Sequence, residues 1–214
     1  MARFHLLMTS QGLALEDRLG SQKPLIINFA NGKLNHRRLR GGKKELLLKA
    51  VGAKPGLKVS DWTAGLGTDS LLMASAGCLV TLFERSPVVC LLVSQAIKRA
   101  SEDPELAPIV SRMTLVKGQA SQIIHQPTDV IYLDPMFPSR KKSARVNGPM
   151  QYLQHFLGED FDAESLVIAA KSVAKQAGAK RVVVKRPLAA PRAECTFSLE
   201  AKANRFDVYE YSRE

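Results

Sequence analysis

Cysteine is scarce in this chain, and the three present are scattered. Cys78, Cys90 and Cys195 form no Cys-x-x-Cys pair, which excludes a disulfide framework and a cysteine-built zinc site and fits a reducing compartment. Cys78 and Cys90 lie among apolar residues and read as small core side chains. No run approaches the ~20 apolar residues that cross a bilayer. Met1–Met8 is too short an apolar stretch for a signal peptide. These absences lead to the expectation of a soluble cytoplasmic protein with no membrane attachment and no metal. Acid is short as well. Asp and Glu total 20 against 31 Lys and Arg, a net charge of +11. That excess goes beyond what solubility needs and favours a polyanionic partner, nucleic acid first. A merely basic surface is the plainer alternative.

What is present is a core. With 45% hydrophobic residues in 214, the chain suits one α/β domain with a small appendage. We place an N-terminal extension at residues 1–50 and the main domain at 51–214. In the extension, Leu25–Phe29 reads as a short strand, Asn35–Lys44 as a basic turn and Glu45–Val51 as helical, while residues 1–20 have no assignable pattern. From Leu57 onward strands and helices alternate, the mark of a parallel sheet with crossover helices. The expected strands are Leu57–Asp61, Cys78–Glu84, Met113–Lys117, Val130–Asp134 and Arg181–Lys185. Helices are expected at Ser70–Ala76, from Pro87 to about Ala100, and over Ala163–Ala177. Two late β runs, Glu194–Leu199 and Arg205–Tyr211, predict a C-terminal hairpin. A mostly parallel sheet of seven strands closed by such a hairpin is the Rossmann-like class I S-adenosylmethionine-dependent variant rather than a six-stranded dinucleotide fold.

The first strand ends in Asp61 and runs into Gly65-Leu66-Gly67 before a helix. Glycines let backbone approach a ligand, and the crevice beyond the strand ends receives it. Glu84 ends the second strand, placed to accept both ribose hydroxyls. A Gly-x-Gly alone is a weak signal, and nicotinamide enzymes also put an acid there. Two details separate the cases. Position 70 is Ser where a dinucleotide fingerprint has a third glycine. Asp61 would repel a pyrophosphate but suits the cationic amino-acid end of S-adenosylmethionine. Thr68 and Asp69 either cap the helix or touch the cofactor, and Gln119-Ala120 lies by position near an adenine.

Asp134-Pro135-Met136-Phe137-Pro138 follows the apolar run Val130–Leu133 directly. An acid, a stiffened carbonyl and an aromatic ring at a strand end suit the exocyclic amine of a planar base. Asp134 and the Pro135 carbonyl accept its N–H groups, and Phe137 stacks on the ring. A strand-terminal Asp-Pro turn with a core Phe is the plainer reading. Trp62 and Tyr132 are expected to pack in the core. Candidate phosphate contacts are His36, Arg37, Arg38, Arg40, Lys43 and Lys44 near the N-terminus. Arg140, Lys141, Lys142 and Arg145 follow the amine motif, and Lys185 with Arg186 ends the fifth strand. A solvated basic loop is the usual explanation of such runs, and His36 is structural or phosphate-contacting.

Taken together, several segments resemble the ribosomal RNA small subunit methyltransferase J family. They are Asn35-His36-Arg37-Arg38 with Gly41-Gly42, Thr63–Asp69, Ala76-Gly77-Cys78, Leu82–Val89, Tyr132–Pro138, Lys180–Pro187 and Arg205–Tyr209. The resemblance runs from about residue 25 to the end. It implies methyl transfer from S-adenosylmethionine, leaving S-adenosylhomocysteine, to guanine N2 in 16S rRNA of the small ribosomal subunit. It also implies cofactor contacts at Thr68, Asp69, Glu84, Arg85, Gln119, Ala120 and Asp134. Trp62, Thr68 and Gln119-Ala120 depart from the family pattern. The competing expectations are an adenine-N6 or cytosine-N4 methyltransferase and a catalytically silent RNA-binding protein.

Overall fold

The computed structural model describes residues 3–41, 45–120, 127–136, 148–158 and 162–211. The chain opens with an antiparallel hairpin, β1 (Phe4–Thr9) and β2 (Gly12–Asp17). The Arg3 guanidinium closes its open end on Asp17 through two bonds of 2.8 and 2.7 Å. Two helices follow, α1 (Gly32–Gly41) and α2 (Leu46–Val51).

The main body alternates β3 (Lys58–Asp61), α3 (Thr68–Ser75), β4 (Leu79–Glu84), α4 (Pro87–Ser101), a short α5 (Ala107–Val110), β5 (Met113–Lys117) and β6 (Val130–Leu133). It continues through α6 (Gly148–Leu157), α7 (Ala163–Gln176), β7 (Arg181–Pro187), β8 (Phe197–Glu200) and β9 (Asn204–Glu210). Ser86 opens α4 by accepting the Val89 N–H at 3.4 Å, with Pro87 in the first turn where its missing N–H costs nothing.

Seven strands form one sheet in the order β5-β4-β3-β6-β7-β9-β8. Strands β3 to β7 pair in parallel, and β9 runs antiparallel to both β7 and β8. Parallel strands covered on both faces must be apolar throughout, which is why β6 is buried at all four positions. Alternate residues then serve opposite faces. Tyr132, Val183 and Val208 join the core under α2, α3 and α4. Ile131, Leu133, Val182 and Val184 meet Val167, Ala170 and Ala174 of α7. Each fully buried Val, Leu or Ile contributes about 1.5–3 kcal/mol, so this two-sided burial dominates the sheet's stability.

The strand assignments from the sequence agree with the sheet to within three residues at each end. The N-terminal region differs more. Leu25–Phe29 is not a strand: Leu25 makes a single antiparallel bridge to Leu15. The basic segment read as a turn is mostly helix, α1. Residues 4–17 form a hairpin that the sequence pattern does not reveal, and α5 and α6 lie outside the expected elements. Leu15, Leu25, Ile27, Phe29 and Leu47 share one continuous core with α3 and α4. Among the described residues no helix is long and apolar enough to cross a membrane.

The sheet order reverses beside β3, where chain connections leave to β4 on one side and β6 on the other. The crevice past the carboxyl ends of those strands is where such sheets take ligands.

Candidate active site

The turn after β3 is pinned from both neighbours. The Trp62 N–H donates to the Tyr132 carbonyl at 3.0 Å, and the Ala64 N–H to the Phe83 carbonyl at 3.1 Å. Gly67 then starts α3 with φ +71, and a Cβ there would stand 3.2 Å from Phe29 Cζ. Only glycine meets both demands without strain.

Two backbone N–H groups aim the buried Glu84 carboxylate at the end of β4. Gly65 donates to Oε2 at 3.0 Å and Ser86 to Oε1 at 2.7 Å. Asp61 is almost wholly buried and accepts the Thr63 N–H at 3.0 Å and the Ser70 hydroxyl at 2.5 Å. Burial, against those two bonds, pushes its carboxyl up to about 7. Ser70, which the sequence offers only as a missing glycine, is thus the partner of the buried acid.

A second cluster gathers where β6 ends beside β7. Lys185 Nζ stands 2.7 Å from Asp134 Oδ2 and 2.9 Å from Asp69 Oδ2. The Tyr132 hydroxyl donates to Asp69 Oδ2 at 2.7 Å, and Arg37 reaches Asp69 Oδ1 at 3.1 Å while gripping Glu45. Burial raises Asp69, but the Lys185 and Arg37 cations and their hydrogen bonds win and hold it at about 2. Asp134 differs in sign. Burial, which Lys185 only partly offsets, keeps its carboxyl above the ordinary carboxylate value. Burial lowers Lys185, yet Asp134 and Asp69 together lift its ammonium well above the usual lysine value. The Asp134 N–H donates to Thr63 Oγ1 at 2.6 Å, which joins the two clusters.

Acids of both clusters border one cleft that opens to solvent, about 840 Å³ with its open part included. Asp61, Gly65, Thr68, Asp69, Glu84, Arg85, Gln119 and Asp134 all border it, with Leu153, Leu157 and Leu166 as an apolar wall.

Comparison with known proteins decides what this crevice belongs to. A family model for SAM-dependent methyltransferases matches residues 1–211. Ribosomal RNA small subunit methyltransferase J of Dechloromonas aromatica is 43% identical over 97% of this chain and 88% of its own length. The protein of the same name from Pseudomonas aeruginosa is 41% identical over 97% and 82%. The crystal structure of a SAM-dependent methyltransferase from Neisseria gonorrhoeae superposes with a TM-score of 0.74 at 35% identity, covering 99% of this chain and 84% of that one. The chain belongs to the ribosomal RNA small subunit methyltransferase J family.

As a family member it is an S-adenosylmethionine-dependent methyltransferase on a Rossmann-like class I fold. The cavity fits that cofactor chemically. Glu84 is a buried carboxylate held by two donors, and a carboxylate has roughly four acceptor sites, which suits a vicinal diol. Asp61 brings a buried carboxyl to the same wall.

The other expected site residues take the following places. Lys185 and Arg186, expected on an RNA-facing edge, both turn inward. Lys185 joins the acid cluster, and Arg186 is 5% exposed, bonded to Glu164 at 2.5 and 3.0 Å with Asp207 at 3.4 Å. Both are drawn in because buried acids need cations. Arg37 bridges Glu45 and Asp69, and Arg38 is mostly covered, held by Asn35 and Glu105. His36 is exposed on α1. Asp69 does not cap α3; its side chain serves the cation cluster. Ala120 is 1% exposed in the core beside Trp62 and Phe83, behind the cavity wall. Pro135 is buried. Phe137, Lys43, Arg140, Lys141, Lys142, Arg145 and the Arg40 side chain lie outside the described residues.

Proposed function

We propose that the protein transfers a methyl group from S-adenosylmethionine to the exocyclic N2 of a guanine in 16S rRNA, acting in the cytoplasm on RNA of the small ribosomal subunit. The observation that carries this reading is Asp134, standing at the end of β6 on the wall of the cavity that Glu84 and the Gly65–Gly67 turn frame. The names of the relatives support methylation of small-subunit ribosomal RNA, and the net charge of +11 supports a polyanionic substrate.

When bound, the cofactor supplies an electrophilic methyl group that needs little further activation. The protein's task is therefore alignment. The N2 lone pair is delocalised into the purine ring, so the amine must be held and turned before it attacks. Asp134 and the Pro135 carbonyl accept the two N–H groups and pyramidalise the nitrogen. The new N–CH₃ bond would replace the S–CH₃ bond of the cofactor, which leaves as S-adenosylhomocysteine, while the amine gives up one proton towards Asp134. Leu153 and Leu166 give that side of the cavity an apolar lining. Phe137 supplies the stacking face for the base.

The test is incubation with labelled S-adenosylmethionine and unmodified small-subunit particles, followed by digestion to nucleosides. Label in N2-methylguanosine is the expected result. Label in N6-methyladenosine or N4-methylcytidine would keep the amine chemistry and overturn the guanine assignment.

A further inference from the structure

We propose that Lys185 is a positioning residue for amine methylation, bridging Asp69 to Asp134 so that Asp134 stands charged and fixed beside the incoming amine. The inference rests on the reading of Asp134 as the amine acceptor.

The placement follows from the sheet. Leu133 of β6 pairs with Val184 of β7, so Asp134 and Lys185 are lateral neighbours one residue past the last ladder pair. Side chains alternate along a strand, which puts Lys185 on the face of Val183 and Asp134 on the face of Tyr132. Val183 and Tyr132 share one core, so the two charged side chains meet over it.

The charges around Asp134 come from every side. Asp69 on α3 repels it, Asp61 at the end of β3 lies within the same acid group, and Arg37 on α1, bonded to Asp69, favours its charged form at a distance. Tyr132 on β6 itself is neutral and donates to Asp69. Among the described residues Lys185 is the cation bonded directly to Asp134, and its side chain is 19% exposed. Two carboxylates sharing one site cannot both stay ionised unless a cation lies between them. Asp69 is also tied by Tyr132 and Arg37, so the bridge holds Lys185 from its far side and leaves it little freedom. The ammonium itself gives up no proton; it fixes one carboxylate oxygen of Asp134, Oδ2.

This role makes a claim that a purely structural ion pair does not. In Lys185→Met, Asp134 loses its cation and takes up a proton more readily. The rising limb of the single-turnover rate should move to higher pH by about one unit or more, so that the loss is about tenfold on the acid side of the limb and is regained in alkali. Cofactor affinity should stay within about twofold. Lys185→Arg should restore the limb. Asp69→Asn should move the limb the other way, to lower pH, because it removes the repelling carboxylate; that variant keeps the proposal testable if Lys185→Met does not fold.

The closing measurement is ¹³C NMR titration of the Asp134 carboxyl in wild type, Lys185→Met and Asp69→Asn, assigned with Asp134→Asn, beside the pH–rate profiles. Opposite displacements in the two variants are expected. An unmoved Asp134 titration, or a rate loss equal at every pH, overturns the proposal. The titration needs no RNA, so a protein that failed to make N2-methylguanosine would sink the functional reading while Asp134 still reported on Lys185.

Discussion

Thr63 holds the two halves of the cavity together. Its hydroxyl oxygen accepts the Asp134 N–H at 2.6 Å, and its own N–H donates to Asp61 Oδ1 at 3.0 Å. One small residue in the cofactor turn thereby sets where the amine motif begins. Thr63→Val keeps the shape and removes the acceptor. It should cost about 1–3 kcal/mol in stability, because a buried N–H loses its partner, and should lower the methylation rate more than cofactor affinity. Thr63→Ser should retain both. Urea denaturation and single-turnover kinetics on the two variants check this.

Asp61 gives a pH dependence of stability with a definite sign. Its carboxyl moves from 3.8 to about 7 on folding, so the folded protein binds the extra proton between those values. Stability from this group is complete below about 4 and is lost as pH rises through about 7. Asp61→Asn has no such proton to lose. Relative to wild type it should gain on the order of 2–3 kcal/mol between pH 5 and pH 7, at about 1.4 kcal/mol per unit. Denaturation midpoints of both proteins across that window measure the difference.

Tyr132, expected as a core aromatic, is completely buried, but its hydroxyl also donates to Asp69 at 2.7 Å. Tyr132→Phe removes one of three donors from a buried carboxylate. The expected loss is about 1–2 kcal/mol, with Lys185 and Arg37 still in place. A larger loss in the double variant with Arg37→Met than the two singles sum to would show the donors acting as one network.

Gly67 combines a left-handed backbone with close approach to Phe29, whereas Gly178, at φ +68, has nothing within 4 Å of where a Cβ would stand. Gly178→Ala should cost about 1–2 kcal/mol from backbone strain alone. Gly67→Ala should cost more, since Phe29 must also give way, and should weaken cofactor binding. Urea denaturation of the two variants measures both costs, and equal values would remove Phe29 from the explanation.

The central strands were legible because a two-sided parallel sheet writes itself as short apolar runs. Val130–Leu133 and Val182–Val184 have no other use for so many buried β-branched and aliphatic side chains in a row. The acids that end those runs, Asp61, Glu84 and Asp134, were legible for the same reason: a carboxylate directly after a buried strand lies at the crevice. The hairpin at residues 4–17 was not, because its faces are half-covered and its order comes from distant groups, Leu25 on Leu15 and Arg3 on Asp17. Helix α1 was hidden by its basic composition, which looks like a solvated turn until Arg37 finds Glu45 and Asp69. Lys185 misled most. A lysine at a strand end reads as a surface cation, and only the neighbouring strand's Asp134 shows why it turns inward.

The most direct measurement compares Asp134→Asn with wild type in single-turnover methylation of unmodified small-subunit particles and in cofactor binding by calorimetry. Asparagine keeps the shape and takes away the charge that accepts the amine proton. Loss of at least about a hundredfold in rate, with cofactor affinity changed little, is the expected result. A variant that methylates guanosine N2 at nearly the wild-type rate would contradict the assignment of Asp134 as the amine acceptor.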